Sequence, residues 1–437
     1  MDRPILALAA VVVLGCRNEA PPAPKPAASA SASTVASAPA PSASVAASAS
    51  APGPVKPTTR FLARLFPDES SASTEFHDAK IGEHHPAKHA FDGTRATSWN
   101  QDGKPAVKVE KGEWLEAKFK KKQSLHVLRI DTGFNDWSAK FGDLFLRNSH
   151  VKKLTVTIDG GAPIVREVKP DERVVTVRLE RPLEAKTVRV TFDDLYAGDR
   201  WPELGITEIG FFGDPPKVVD EAATSKTIAG IDANYEADSA GRAAGLAMDL
   251  GMPIPAELVE NQRARITDTW ADLDGLGRDY RVVSLTFRTR PSGGTRRQIL
   301  MTAILGRVAP GKLALLASDL IVARPDEFGF DNQTKLEIAP HLHAEDRDDL
   351  ALRWAHASLD PSGQRVKQTG LRVWSCMHGF PEPVFEQIFD RAEKTKNQSD
   401  FEPVELQADH GKVGIRIAGA AKGSFAWHAP SGIFVPE

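Results

Sequence analysis

The sequence predicts a mainly β protein in which a β-sandwich is followed by a second, mixed, β-rich α+β domain. Between residues 60 and 214, apolar and polar side chains alternate in short runs bounded by Gly, Pro, Asp or Asn. Alternation with a period of two is typical of strands that bury one face, and many such runs indicate a sandwich. A chain of 437 residues is also too long for one ordinary core.

Each predicted sandwich strand places apolar side chains at alternate positions, so that they point to one face. The runs are Leu115, Ala117 and Phe119; Leu128 and Ile130; Leu154, Val156 and Ile158; Val175, Val177 and Leu179; Val188, Val190 and Phe192; Ile209 and Phe211. No helical stretch of comparable quality lies among them. Because the interior of a sandwich is packed, we expect its variable chemistry in the loops at its ends.

A polar break over residues 215–225 separates the sandwich from a second domain over residues 228–437. Strands of this domain are predicted at residues 280–290, 298–305, 313–322, 350–356 and 370–375, the last two paired around a turn at 360–363. Residues 383–394 are predicted to form an amphipathic helix that begins at a proline. The apolar side chains that recur there at helical spacing are Val384, Phe385, Ile388, Phe389 and Ala392.

The N-terminus predicts export and lipid anchoring. Residues 5–14 are a continuous apolar run that has the length of a signal peptide and is too short to span a bilayer. The run ends in Val-Leu-Gly-Cys, which resembles a bacterial lipobox, so residues 1–15 are predicted to be a signal peptide and Cys16 to carry acyl chains such as palmitate. The next residue is Arg17 and not Asp, which favours the outer membrane of a Gram-negative bacterium.

Residues 16–59 are predicted to be a lipid-anchored, disordered linker. From residue 20 onwards they are almost entirely Ala, Ser and Pro, with too few large apolar side chains to build a core. Where the prolines hold the chain extended, it advances ~3.1 Å per residue. Such a linker would lift a folded domain away from the lipid surface.

Composition narrows the classes of partner. The net charge is −3 and there is no basic stripe, so no nucleic-acid partner is expected. Of the two cysteines, Cys16 belongs to the targeting segment, which leaves Cys376 as a single thiol without an intrachain partner. We expect Cys376 to be a small buried apolar residue and not a nucleophile.

Several blocks in residues 87–213 occur in the order found in one family of sandwich domains. They are Asp92-Gly93 with Thr97 and Trp99, Gly112-Glu113-Trp114, Gly133-Phe134, Arg147-Asn148-Ser149, Tyr196-Ala197-Gly198 and Thr207-Glu208-Ile209. The segment resembles the discoidin or galactose-binding-like family, and more narrowly the NADase-type glycan-binding domains of secreted bacterial proteins. This resemblance implies a β-sandwich jelly roll that binds glycans.

The resemblance also implies a structural Ca²⁺ site. In many sugar-binding relatives, a loop near the start of the domain and a Glu near its end close around the ion. Here these positions assign Asp92 and Glu208 as side-chain ligands, with Arg95 and Thr97 offering carbonyl or hydroxyl oxygens. The alternative is that Asp92 caps its own turn and Glu208 accepts hydrogen bonds from backbone amides.

Sugar recognition needs an aromatic face against the ring and a few polar partners for its hydroxyl groups. Trp137 and Trp201 are predicted to be the aromatic platforms because their neighbours are polar. The predicted polar partners are Asn135, Arg147, Asn148 and Arg200. As alternatives, Trp137 covers one end of the core and Asn148 holds a turn.

Two motifs in the second domain suggest metal binding only weakly. The acidic run of Asp272, Asp274 and Asp279 lacks the spacing of an EF-hand, and a hairpin turn is the simpler interpretation. His341 and His343 alternate as zinc ligands on a strand would, but no third ligand is identifiable. Hydrolase elbows, phosphate loops and dinucleotide fingerprints are missing from the sequence.

The leading functional hypothesis is a non-catalytic, lipid-anchored cell-envelope protein that binds a glycan or another envelope polymer through its sandwich. One alternative is a surface enzyme in which the sandwich targets a polysaccharide and the C-terminal domain is catalytic. Another is a module for protein–protein contact.

Overall fold

A computed structural model describes residues 61–437, apart from 80–82, 104–111, 139, 234–238, 255–262, 290–296, 324–332, 341, 343–346, 360–364, 377–378, 393–403, 410–411 and 418–422. The predicted signal peptide, the linker and Cys16 therefore lie outside the described residues. His341 and His343 lie outside them as well, so the zinc hypothesis stays a prediction.

Strands dominate the sandwich, which also contains a short 3₁₀ turn at Ala87–Ala90 and a one-turn helix α1 at Leu144–Arg147. Its strands are β1 Ala63–Leu65, β2 Glu69–Ala72, β3 Phe76–Asp78, β4 Glu83–His85, β5 Trp99–Asn100, β6 Glu113–Asp131, β7 Trp137–Ser138, β8 Gly142–Asp143, β9 Asn148–Ile158, β10 Ile164–Glu167, β11 Val174–Tyr196, β12 Trp201–Ile206 and β13 Ile209–Gly213. Nine of the described strands form one sheet, in the order β1-β13-β6-β11-β9-β12-β5, with β10 beside β9 and β2 beside β6.

The long strands β6 and β11 build both layers of the sandwich. They pair antiparallel, starting with Val174 opposite Asp131, and the pairing changes register around residues 178–183. One half of β6 also pairs with β13, and the other half pairs with β2. Leu115 and Leu128, from the two halves, enter the same buried cluster. The sheet therefore folds over a shared core, which confirms the predicted sandwich.

The remaining strands and helices form stacked layers. The strands are β14 Val218–Asp220, β15 Arg263–Ala271, β16 Tyr280–Thr289, β17 Arg297–Ala309, β18 Lys312–Ala323, β19 Gln333–Pro340, β20 Asp348–Leu359, β21 Arg365–Ser375, β22 Glu382–Ala392, β23 Val404–Asp409, β24 Lys412–Ile417, β25 Gly423–His428 and β26 Ile433–Pro436. The helices are α2 Glu221–Ala233 and α3 Ser239–Leu250. Neither these helices nor α1 has the length and apolar character needed to cross a membrane, as far as the chain is described.

Successive side chains of a strand point to opposite faces of its sheet, so one strand can pack against two different layers. In β16, Val283 and Leu285 pack against α2 and α3, whereas Tyr280 and Val282 pack against the sheet β19-β20-β21-β22. The other face of that sheet packs on the sheet β23-β24-β25-β26, for example through Phe385. The predicted pairing of residues 350–356 with 370–375 is confirmed, because β20 and β21 are antiparallel neighbours.

The acidic run is a hairpin turn between β15 and β16. The Asp272 carboxylate accepts hydrogen bonds from the backbone amides of Gly275, at 3.0 Å, and Gly277, at 2.9 Å. The Asp274 carboxylate accepts from the Tyr280 hydroxyl at 2.7 Å and from the Leu276 amide at 3.0 Å. These acids hold their own turn, which was the simpler interpretation.

One prediction for the second domain is wrong. Residues 383–394 do not form a helix, since they contribute the strand β22. The register between β21 and β22 shifts by one residue, which places Val384 and Phe385 in the same buried cluster. A bulge of this kind interrupts the alternation, so the apolar spacing imitates that of a helix. The polar break at residues 215–225 also includes the start of α2, where the Asp220 carboxylate accepts a hydrogen bond from the Ala223 amide at 2.9 Å.

A substitution at Gly213 tests the close packing of β13 against Ser124 and Leu65. A Cβ atom there would lie 2.0 Å from the carbonyl oxygen of Ser124 and 2.7 Å from the Leu65 side chain. We predict that Gly213→Ala lowers the free energy of unfolding by about 1–3 kcal/mol, as measured by urea denaturation. The control is Gly245→Ala in α3, where a Cβ would meet no atom within 4 Å. This control should gain about 0.5–1 kcal/mol. Equal stability of Gly213→Ala and the wild type would contradict the packing.

Candidate functional site

The residues predicted to bind a saccharide separate into two groups. One group packs beneath the C-terminal sheets and comprises Asn135 and Trp137. The other surrounds the loop between β11 and β12 and comprises Arg147, Asn148, Arg200 and Trp201. The β7–β8 hairpin connects the groups, because β7 carries Trp137 and the turn of the hairpin carries Phe141, which contacts Trp201.

Trp137 is packed against the C-terminal sheets. Its ring makes an edge-to-face contact with Phe425 of β25, with 5.7 Å between the ring centroids. The Gln387 side-chain amide of β22 donates a hydrogen bond to the Trp137 carbonyl oxygen at 3.3 Å. This half-buried indole does not present an open face to a sugar, and its position matches the alternative in which it covers one end of the core.

Asn135 supports the backbone around it. Its side-chain amide donates to the carbonyl oxygen of Arg173 at 2.9 Å, and its backbone amide donates to the Thr207 hydroxyl at 2.8 Å. The side-chain amide nitrogen of Asn135 is thus engaged by the backbone, while its Oδ1 is buried and has no hydrogen-bond partner within the described part of the chain.

Buried charges join the sandwich to β22. The Glu386 carboxylate accepts hydrogen bonds from the Thr94 hydroxyl at 2.7 Å and from the Arg95 backbone amide at 2.7 Å. The Arg372 guanidinium of β21 lies 2.5 Å from the same carboxylate and also donates to Thr94. Arg372 forms a second ion pair with the buried Asp319. The loop that was predicted to bind Ca²⁺ is therefore attached to the C-terminal sheets.

A second buried ion pair lies at the start of β22, four residues before Glu386. Glu382 accepts from the Arg129 guanidinium at 2.9 Å, and both side chains are almost completely buried. Arg129 also donates to the carbonyl oxygen of Ser431 at 2.7 Å and to the Thr176 hydroxyl at 2.9 Å. Burial raises the pKa of Glu382, while the positive charge of Arg129 opposes that rise.

Hydrogen bonds and an ion pair already engage the side chains of three predicted Ca²⁺ ligands. The Asp92 carboxylate accepts from the Thr97 hydroxyl at 2.9 Å and from the backbone amide of Thr94. The buried Glu208 carboxylate pairs with the Arg64 guanidinium and accepts from the Gly93 amide at 2.9 Å. A cationic side chain already neutralises Glu208, so the arrangement does not fit a Ca²⁺ site made from these residues.

The remaining predicted contributor, Arg95, also has another role. Its guanidinium forms a buried ion pair with Asp131 at 2.5 Å, within the sandwich. Desolvation raises the pKa of Asp131, against the opposing effect of the Arg95 charge. Across the described ranges, no three His, Cys, Asp or Glu side chains are grouped so as to hold a metal ion.

An open cleft lies beside the other group, at the end of β11. Its volume is about 390 Å³, and its lining comes from Ser149 and the continuous segment Asp194, Leu195, Tyr196, Ala197, Gly198, Asp199, Arg200, Trp201 and Pro202. Aromatic, acidic and basic side chains therefore meet in one concave surface. The strand end and the following loop supply this mixture, as expected for the end of a sandwich.

An aromatic and cationic cluster forms one part of the cleft. Phe141 and Trp201 meet edge to face, with 5.1 Å between the ring centroids. The Arg200 guanidinium lies 4.5 Å from the centroid of Phe141 and 4.9 Å from that of Trp201. Phe141 was missed by the sequence prediction, although the criterion applied to the tryptophans, an aromatic residue among polar neighbours, identifies it in Ser-Ala-Lys-Phe-Gly-Asp.

The loop of the cleft is held close to the start of β9. The backbone amides of Asp199 and Arg200 donate to the carbonyl oxygens of Leu146 and Arg147, each at 3.1 Å. A Cβ at Gly198 would lie 2.4–2.6 Å from backbone atoms of Arg147 and Asn148, so only glycine permits this approach. The Asn148 side chain donates to the Leu144 carbonyl oxygen at 2.8 Å, which is the turn-holding alternative.

Both acidic side chains that line the cleft, Asp194 and Asp199, form ion pairs. Arg147 pairs with Asp199, and its guanidinium also donates to the Phe141 carbonyl oxygen at 3.0 Å. Lys152 lies 3.1 Å from the carboxylate of Asp194. Arg147 thus orients both the loop and the β7–β8 hairpin, while Arg200 and Trp201 remain at the cleft surface.

The domain matches a known family model, and its fold resembles solved structures. The model of the NAD glycohydrolase translocation F5/8 type C domain matches residues 66–212. A family 32 carbohydrate-binding module from C. perfringens NanJ, in complex with galactose, is 17% identical with a TM-score of 0.25 and covers 35% of this chain and 98% of its own.

Two further solved structures show similar values. The fucose-binding module SpX-3 of Streptococcus pneumoniae is 16% identical with a TM-score of 0.22, over 33% of this chain and 91% of its own. An F5/8 type C domain from Bacteroides fragilis is 15% identical with a TM-score of 0.24, over 35% of this chain and 96% of its own. No curated protein sequence matches the chain.

Glu382→Gln tests the buried ion pair between the sandwich and β22. The variant leaves the buried Arg129 guanidinium without a carboxylate, so we predict a loss of about 3 kcal/mol in the free energy of unfolding. Glu167→Gln is the control, because Glu167 and its partner Lys153 are both exposed. It should cost less than about 1 kcal/mol. Similar urea midpoints for the two variants would show that the buried pair is not structural.

The burial of Asp136 can be tested through the pH dependence of the free energy of unfolding. Desolvation at the boundary with β22, together with the nearby Glu386 charge, raises the pKa of Asp136 to about 7, against a hydrogen bond from the Trp137 amide. The folded chain then retains a proton that the unfolded chain releases above about pH 4. The contribution of Asp136 to the free energy of unfolding therefore falls as the pH rises from about 4 to about 7.

We predict that Asp136→Asn gains stability relative to the wild type as the pH is raised across this window. The difference between the two urea midpoints should be more favourable to Asp136→Asn at about pH 8 than at about pH 5. An unchanged difference at the two pH values would show that Asp136 titrates as it does in the unfolded chain.

Proposed function

We propose that this chain, whose residues 66–212 form an F5/8 type C, discoidin-like domain, binds a saccharide in the cleft between β11 and β12. The observation that carries the proposal is the cluster of Phe141, Arg200 and Trp201 at the edge of this cleft. An aromatic face can pack against the CH groups of a sugar ring, while adjacent polar groups bond its hydroxyls.

The geometry favours Trp201 over Trp137 as the platform. Each indole meets one aromatic ring edge to face, but Trp137 lines only a narrow cavity of about 20 Å³, whereas Trp201 lines the open cleft of about 390 Å³. The Asp199 carboxylate lies at the same surface and is oriented by its ion pair with Arg147, so it could accept a hydrogen bond from a hydroxyl group.

The proposed role is non-catalytic and takes place at the cell envelope. Acylation of Cys16 would anchor the chain in a membrane, and the Ala/Ser/Pro linker would hold the sandwich away from it. The lipobox resemblance and the composition of the linker support this part of the proposal. The hydrolase and protein-contact hypotheses remain alternatives, and no particular contact in the described chain favours either.

Trp201→Ala tests the proposed platform. A glycan array probed with the purified full-length chain should yield saccharide hits, and calorimetry with the best hit gives the affinity. We predict that Trp201→Ala weakens this binding at least about tenfold, equivalent to about 1.4 kcal/mol. The matched control is Trp270→Ala, which removes a tryptophan that is 41% exposed on β15, outside the sandwich.

Far-ultraviolet circular dichroism should show that both variants are folded. A blank array with the folded wild type would contradict saccharide binding. Full affinity of Trp201→Ala would place the site elsewhere, and an equal loss in Trp270→Ala would show that the effect is not specific to the cleft.

A further inference from the structure

We infer that the cleft selects a saccharide bearing an anionic group, a carboxylate or a sulfate, and that Arg200 binds this group. The inference rests on the proposed saccharide site and adds the class of its ligand. It depends on how charges are paired around the cleft, on how the Arg200 guanidinium is held, and on the rigidity of the loop.

Arg200 is the cation of the cleft without an acidic partner. Asp199 pairs with Arg147, and Asp194 lies 3.1 Å from the Lys152 ammonium group. Each of these two ion pairs has no net charge. The exposed Arg200 guanidinium forms no salt bridge or hydrogen bond with any residue for which a position is described. Arg200 is therefore an uncompensated positive charge in the cleft lining, and the exposed Lys140 ammonium, 4.9 Å from the Phe141 ring centroid, adds a second at its edge, which favours an anionic ligand.

The Arg200 guanidinium lies close to two aromatic rings. Its central carbon lies 4.5 Å from the ring centroid of Phe141 and 4.9 Å from that of Trp201. A guanidinium that contacts rings through its flat faces keeps the N–H donors in its plane available. These donors match the two oxygens of a carboxylate or a sulfate, and charge-assisted pairs of this kind are strong and directional.

The backbone that carries Arg200 is held in place before a ligand arrives. Its amide donates to the Arg147 carbonyl oxygen, and the close approach of Gly198 to Asn148 prevents the loop from lifting without breaking contacts. Because the loop is already ordered, little conformational entropy is lost on binding. Arg200 also lies beside Trp201, so a sugar ring on the indole could present its charged substituent to the guanidinium.

The discriminating experiment uses polysaccharide pairs that differ only in charge. The full-length chain is titrated calorimetrically with homogalacturonan and its methyl ester, and with dextran sulfate and dextran. An array with neutral, uronic-acid and sulfated glycans is probed in parallel. We expect the anionic members to dominate the array hits, and at least one charged member of a pair to bind about tenfold or more tightly than its uncharged counterpart.

Variants of Arg200 test whether its side chain causes the preference for anionic ligands. Arg200→Gln should lose the tenfold preference but keep its affinity for any neutral ligand within about twofold, whereas Arg200→Lys should retain only part of the preference. The matched control, Arg181→Gln, removes an exposed arginine of β11 that does not line the cleft and should leave the preference intact.

The outcomes separate this inference from the proposed function. Hits among neutral glycans with no preference for charge would overturn the inference and leave saccharide binding standing. A blank array and no heat with any polysaccharide would overturn both. Equal losses in Arg200→Gln and Arg181→Gln would also overturn the inference, because they would show a general response to net charge.

Discussion

The attachment of β22 to the sandwich by buried carboxylates is the constraint on which the rest of the structure depends. Glu382 and Glu386 lie four residues apart on one strand, and each reaches a partner in the sandwich. An isolated carboxylate is costly to bury, so an arrangement without these partners would be strongly disfavoured. The pairs therefore specify how β22 and the sandwich fit together, and apolar contacts such as Phe212 on Phe380, 3.9 Å between centroids, accompany them.

This attachment extends to the cleft through the β7–β8 hairpin. Phe425 and Gln387 hold the base of the hairpin at Trp137, and Phe141 in its turn packs on Trp201. The C-terminal sheets thus support the hairpin that carries Phe141. Catalytic chemistry in those sheets is not required for this role, because a rigid support for the hairpin is sufficient to orient Phe141.

The sandwich was predictable because its information is local. Alternation at positions such as Val188 and Val190 reports directly which face of β11 is buried, and the family blocks supply the order of the strands. The strand β22 was not predictable in the same way, since a bulge at Val384 disguises its period.

The sequence also could not show that the predicted saccharide-binding residues separate into two groups. Trp137 and Trp201 have the same kind of polar neighbours, and only contacts with the distant Phe425 distinguish them. Likewise, nothing near Glu208 in the sequence indicates that Arg64, 144 residues away, provides its positive charge. Spacing identifies residues capable of binding a cation or a sugar, but it does not show which of their groups are already engaged by the fold.

The decisive measurement is a crystal structure of the chain with its strongest saccharide ligand. We expect a sugar ring against the Trp201 indole, with an anionic substituent at the N–H edge of Arg200. Ligand density beside Trp137 and Phe425, or within the C-terminal sheets, with no sugar between Tyr196 and Pro202, would contradict it.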